Sequence, residues 1–195
     1  MVAKAMAIPV SDQPEAPKSV RGALVSGAIV FYGLMAMASL WWLRARDREP
    51  WIAQIALGDY GIWVAAGCGL CAGLVMALAM QTISGRSAKL RACEAKIAGV
   101  LGPLGEAQLI LLTLASSIAE ELFFRVAVQD AVGFPLAVVI YTVLNTGPGF
   151  LAWAPIAAAC AALFGGLVAG GFGLLAATTA HAVVNYLSLR RIAST

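Results

Sequence analysis

Long runs of apolar residues constrain this chain most strongly, because they exceed the length of buried strands and ordinary core helices. The first is "ALVSGAIVFYGLMAMASLWWL" over residues 23–43, and the second is "GIWVAAGCGLCAGLVMALAM" over residues 61–80. The whole chain is 61% hydrophobic and 12% charged, whereas soluble domains are about 45–50% apolar and about 25% charged. We therefore predict an all-α integral membrane protein, a polytopic transmembrane helix bundle of about six spans.

The pattern divides the chain into four segments. These are a polar N-terminal tail (1–22), two transmembrane helices (23–82), a cytoplasmic loop (83–104) and a core of about four further transmembrane helices (105–190). Within the loop, one helical face collects apolar side chains between residues 87 and 101, which is typical of a helix lying in the membrane interface. A plain cytoplasmic connection is the alternative.

The second span contains two short motifs of small residues. Gly69 and Gly73 form a GxxxG pair, which permits close helix approach but is common by chance. Cys68 and Cys71 form C-G-L-C in the same apolar stretch. A redox pair needs a polar, accessible thiolate, so we interpret the two cysteines as small buried residues at a helix contact.

The basic residues indicate how the helices are oriented. Six spans place both termini on one side, which then carries three Lys/Arg before the first span, four in the long loop and two at the end. The other side carries three, Arg44, Arg46 and Arg48. The positive-inside rule predicts cytoplasmic termini, in a bacterial inner (cytoplasmic) membrane. Since the cations occupy loops, we expect the lipid bilayer and no nucleic acid as a partner.

Three charged residues interrupt the apolar third span, in "ASSIAEELFFRVAVQ". Each costs roughly 2.5–3.5 kcal/mol at the centre of a bilayer. Glu121 and Arg125 are four residues apart, so on a helix they are neighbours and can neutralise each other as a structural ion pair. Glu120 projects about 100° away. It is therefore the residue that requires a functional explanation.

The sixth predicted span supplies polar residues that Glu120 could meet. His181, the only histidine of the chain, and Asn185 are again four residues apart. Polar groups buried in a helix bundle usually form hydrogen bonds with one another. A carboxylate beside an imidazole and an amide is suited to activating water and stabilising an oxyanion. A histidine that merely satisfies the core is the alternative.

The order E-E-x-x-x-R (120–125) followed by H-x-x-x-N (181–185) resembles the CPBP family of intramembrane proteases, which includes CAAX prenyl proteases and bacteriocin-processing Abi-type proteins. The resemblance covers roughly residues 105–190. It implies that Glu120 is the catalytic carboxylate that activates water and that Glu121 and Arg125 support it. It also implies that His181 and Asn185 stabilise the oxyanion, and that the substrate is a hydrophobic or prenylated peptide cleaved near the membrane surface.

One motif departs from the family. Its middle motif is F-x-x-x-H, and the corresponding stretch here has Tyr141 at the aromatic position and Asn145 in place of the histidine. An amide cannot act as a base, although it can orient water. Catalytic zinc usually takes three protein ligands, typically histidine-rich. With one histidine in the chain we expect no zinc and no other cofactor.

Two readings remain open. In one, the chain is an active glutamate-dependent intramembrane peptidase, a hydrolase with an altered second motif. In the other, it is a pseudoenzyme, an inactive protease-fold subunit or scaffold whose partners are the other proteins of a membrane complex. A small transporter is less consistent with the sequence, because repeats and charges along a path are missing.

Overall fold

The computed structural model describes residues 18–48 and 56–193, and these residues are helical with short connections and no strand. The predicted all-α class is therefore confirmed for the described part of the chain. The predicted polar tail lies almost wholly outside it, since its first 17 residues are not described. The described chain begins directly with the first helix.

The helices follow the predicted order. They are α1 (Lys18–Ala45), α2 (Gly61–Arg86), α3 (Ala88–Leu101), α4 (Glu106–Glu121), a π-helical segment (Leu122–Gln129), α5 (Asp130–Val132), α6 (Phe134–Leu144), a 3-10 turn (Leu151–Trp153), α7 (Ala154–Ala169) and α8 (Gly173–Ala193).

Fewer helices qualify as membrane spans than the six predicted. Among the described residues three are long and apolar enough, Gly22–Ala45, Gly61–Arg86 and Leu151–Ala169, and a fourth is reached if a bent helix pair is counted as one span. Helix α6 has 11 residues, which is about 16 Å of helix against about 30 Å of hydrocarbon. Polar side chains lower the hydropathy of α4 and α8. The three to four apolar helices are consistent with an integral membrane protein.

The bent pair consists of α3 and the helix that runs from Glu106 to Val132, at an angle of 113°. The Ser87 hydroxyl caps the start of α3 by accepting a hydrogen bond from the Leu90 amide. Leu90 and Cys93 are buried on the inner face. Helix α3 therefore runs at a steep angle to the helix through α4, and its interfacial position stays a prediction.

Close packing of α2 on α8 fixes the helix that carries His181. A Cβ atom at Gly69 would overlap the Ala176 carbonyl oxygen, and one at Gly73 would lie 2.7 Å from the Ala180 carbonyl oxygen. The two glycines thus let the backbones approach directly. Our interpretation of the neighbouring cysteines as buried is wrong, because Cys71 is exposed on α2 and Cys68 is only half-buried.

Helix α1 packs against α4 and the π-helical segment through a stripe at helical spacing. Its buried side chains are Val25, Ser39 and Leu43, and Tyr32 is half-buried between them. Beyond its end, Arg46 and Arg48 bind the Asp130 carboxylate at 2.8 and 2.6 Å. This exposed contact links the end of α1 to α5.

Candidate functional site

The two glutamates are the last residues of α4, and the π-helical segment begins directly after them. Single π-turns inside α-helices are rare overall, but those that occur are often found at functional sites. In this chain the wider π-helical turns begin at Leu122 and include Arg125. The Arg125 Nε donates to Glu121 Oε2 at 3.0 Å, and both side chains are fully buried. The structure thus places Glu121 and Arg125 as an ion pair.

The other end of the guanidinium lies among aromatic rings. Its centre is 5.2 Å from the centroid of the Tyr141 ring and 6.0 Å from that of Phe124. Nη1 and Nη2 are buried and have no hydrogen-bond partner in the described structure. Ring faces attract a desolvated guanidinium by about 2 kcal/mol. Arg125 is therefore held by one carboxylate and by π electrons.

His181 lies between the two glutamates. Its Nδ1 is 2.8 Å from Glu121 Oε1, and its Nε2 is 3.9 Å from Glu120 Oε2. Because a carboxylate only accepts, Nδ1 carries the proton and Nε2 faces Glu120. The imidazole stacks on Phe164 with 4.6 Å between ring centroids. Glu121, which the sequence pairs only with Arg125, thus also orients the histidine.

The four charged or titratable groups balance one another. With Glu120 ionised and the imidazole doubly protonated, Arg125, Glu121, His181 and Glu120 sum to zero formal charge. The sum stays zero when one proton moves from Nε2 to Glu120. Such neutrality limits the desolvation cost of a buried cluster. A proton can therefore shift between His181 and Glu120 without leaving a net charge in the interior.

Glu120 borders an open space, whereas Glu121 is sealed. Glu120 is 9% exposed, whereas Glu121 is 0% exposed. The hydroxyl groups of Tyr32 and Tyr141 interact with its carboxyl. The sequence comparison used Tyr141 only as an aromatic residue and missed Tyr32. The sequence carries no signal for Tyr32, because large apolar side chains occupy the exposed faces of α1 as well. Among them are Phe31, Leu34 and Met37.

The two asparagines are held differently. Asn185 donates from Nδ2 to the Ser116 hydroxyl of α4 at 3.0 Å, which ties α8 to α4 one turn before the glutamates. Asn145 donates from Nδ2 to the Tyr141 carbonyl oxygen at 3.1 Å, within its own helix. Ser116 was not predicted. A serine in an apolar helix gives no sign of which neighbour it will meet.

A cavity of about 320 Å³ connects these groups. Its polar lining includes Glu120, His181, Asn185, Asn145, Ser116, Tyr32 and Tyr141, and its apolar lining includes Ile97, Leu101, Leu112, Ile156 and Val184. Four of the predicted site residues thus share one cavity, while Glu121 and Arg125 lie behind its wall. The site has an apolar approach and a small group of hydrogen-bonding residues, as ligand pockets usually have.

Comparison of the chain with protein-family models, with curated proteins and with solved structures gave no match. Within the described residues, no group of three or more His, Cys, Asp and Glu side chains is arranged to hold a metal ion. The expectation that no cofactor is needed stays a prediction. The geometry of the cavity is therefore the basis for the function of this chain.

Proposed function

We propose that the chain is a glutamate-dependent intramembrane peptidase of CPBP type. One observation carries the proposal: His181 Nε2 faces Glu120 across 3.9 Å at the wall of the cavity, while Glu121 holds its Nδ1. The gap is too long for a direct hydrogen bond. Since catalytic hydrogen bonds span about 2.6–3.2 Å, one water molecule can touch both atoms.

The chemistry then follows from the positions of the groups. Glu120 takes a proton from the water, and the water oxygen attacks the carbonyl carbon of the scissile peptide bond. The resulting oxyanion accepts hydrogen bonds from the protonated His181 and from the second amide hydrogen of Asn185. The tetrahedral intermediate collapses when the C–N bond breaks and the proton on Glu120 passes to the leaving nitrogen.

The substrate fits the lining of the cavity. Leu112, Ile156 and Val184 line its apolar part, which suits a hydrophobic or prenylated peptide cut near the membrane surface. We further propose that α4 with the π-helical segment, α6 and α8 also cross or enter the membrane, giving six segments with both termini in the cytoplasm of a bacterial cell. Buried polar residues of a membrane-embedded site lower the hydropathy of such helices.

Substrate trapping tests this proposal. Tagged wild-type protein and its Glu120→Gln variant are purified in mild detergent, with Glu106→Gln as the matched control, because Glu106 is an exposed glutamate of the same helix. We expect the Glu120→Gln variant to retain an uncleaved protein or peptide that the other two forms release. Equal retention of one stoichiometric membrane protein by all three forms would contradict peptidase activity.

That contradicting result would support the second candidate, an inactive protease-fold scaffold in a membrane complex. Asn145 favours it, since its amide donates to the backbone of its own helix and cannot accept a proton from water. On this view the contacts of His181 and Asn185 with α4 only hold α4 and α8 together. The intact pair of Glu120 and His181 at the cavity wall leads us to rank the peptidase first.

A further inference from the structure

A row of cations runs along the length of α3 and the end of α2. Its members are Arg86, Lys89, Arg91 and Lys96, and all four are exposed. Lys89 and Lys96 lie on one flank of α3, and Arg91 lies about 200° around the helix from Lys89. None of them forms an ion pair with a carboxylate among the described residues. The one acidic residue of α3, Glu94, already binds Arg191 at 3.0 Å. The row therefore presents positive charge that the described part of the chain does not neutralise.

Two members of the row are fixed by backbone oxygens. Arg91 donates to the Gly85 carbonyl oxygen at 2.8 Å, at the end of α2. Lys96 donates to the Gly149 carbonyl oxygen at 3.4 Å and lies 5.6 Å from the centroid of the Phe150 ring. These contacts orient the two side chains and leave their charge in place. Arg86 and Lys89 make no such contact with the residues that the structure describes.

The direction of α3 decides which kind of anion the row faces. The helix turns by 113° from the helix through α4, and its inner side chains Ile97 and Leu101 line the cavity. Its apolar face thus points into the bundle, while its cations are exposed. An amphipathic helix whose cations are exposed in this way is suited to lie at the headgroup level of a membrane. Fourteen residues of α3 extend about 21 Å, which spans several headgroups and exceeds a single small anion.

We infer that the row on α3 and the end of α2 binds the phosphate groups of anionic phospholipids. The negative leaflet surface attracts each nearby Lys or Arg by about 1 kcal/mol, which corresponds to about fivefold in affinity. The partner is a lipid with a net negative headgroup, such as phosphatidylglycerol. The inference concerns the exposed cations of α3 and the end of α2, and it does not depend on any peptidase activity of the cavity.

The test compares lipid binding by three forms of the full chain in detergent. Native mass spectrometry measures the dissociation constants for phosphatidylglycerol and for phosphatidylcholine. The double variant Arg86→Gln/Lys89→Gln removes the two cations without backbone contacts, and Arg86→Lys/Lys89→Arg keeps the charge. We expect the wild type to prefer phosphatidylglycerol, the Gln variant to bind it about 30-fold more weakly, and the charge-conserving variant to match the wild type.

Two results would overturn the inference. One is equal binding of both lipids by the wild type, which would assign the row to another partner such as an acidic protein. The other is unchanged phosphatidylglycerol affinity in the Gln variant. Circular dichroism checks that each form is folded. Because the substituted side chains are exposed, the helix content should be the same in all three forms.

Discussion

Breaking the Glu121–Arg125 pair should destabilise the protein strongly, and removing both charges together should not. Both side chains are fully buried, and their contact is 3.0 Å long. Arg125→Met leaves Glu121 with His181 as its one remaining partner, and Glu121→Gln leaves the guanidinium facing a neutral amide. An uncompensated buried charge costs about 3–5 kcal/mol. We expect each single variant to lose that much free energy of unfolding.

The double variant Glu121→Gln/Arg125→Met should be close to the wild type. Its glutamine still offers His181 Nδ1 an acceptor, and its methionine fills the space between the Phe124 and Tyr141 rings. Two guanidinium nitrogens that have no partner in the described structure also disappear. Replacing a buried ion pair by groups of similar volume is often neutral or stabilising. Since each single variant loses about 3–5 kcal/mol and the double variant almost none, the predicted coupling energy is at least about 6 kcal/mol.

Equilibrium unfolding in mixed micelles measures these energies. The mole fraction of dodecyl sulfate is raised, and tryptophan fluorescence and far-ultraviolet circular dichroism follow the transition of the four forms. Additivity of the two single losses within about 0.5 kcal/mol would refute the reasoning. Single losses of only about 0.6 kcal/mol, the average for hydrogen bonds between membrane helices, would also refute the reasoning. The guanidinium would then have another source of stabilisation.

Three further predictions concern other parts of the molecule. Asn145→His should raise peptidase activity by up to about 10²–10⁴-fold, because it adds a second base to the cavity that Glu120 lines. No gain in a folded variant counts against a weakened active site. Gly73→Ala should cost about 1–3 kcal/mol in the same unfolding assay, because the Ala180 backbone lies too close to admit a methyl group. The control Gly67→Ala should cost nothing, because Gly67 faces open space. Equal effects of the two substitutions would contradict the packing of α2 on α8. Asp130→Asn should cost no more than about 1 kcal/mol, because its arginine partners are partly exposed, and a larger loss in thermal unfolding would show that this contact fastens the fold.

The predictions that succeeded are those that depend on local helix geometry. The order of the helices follows from apolar runs and their interruptions. The approach of Glu121 to Arg125 follows from a spacing of four residues. The glycine contact of α2 follows from the absence of side chains at two positions on one face. None of these needs knowledge of how distant helices rotate against each other.

The features that could not be predicted from the sequence depend on how distant helices are rotated against each other. Whether His181 meets Glu120, Glu121 or both is decided by the angle between α8 and α4, which no spacing specifies. The approach of Tyr32 to Glu120 depends likewise on how α1 packs. The π-helical segment adds a change of helical phase after Glu121. Hydropathy identifies only three to four of the six predicted spans among the described residues, and polar side chains lower the hydropathy of α4 and α8.

The central claim is that Glu120, facing His181, activates water to hydrolyse a peptide bond. The most direct measurement incubates the reconstituted protein with a library of apolar peptides in water enriched in oxygen-18. The account predicts new carboxyl termini that carry the heavy oxygen, formed at least about 100-fold more slowly by Glu120→Gln and at the wild-type rate by Glu106→Gln. Labelled termini formed equally by all three forms, or by none of them, would contradict it.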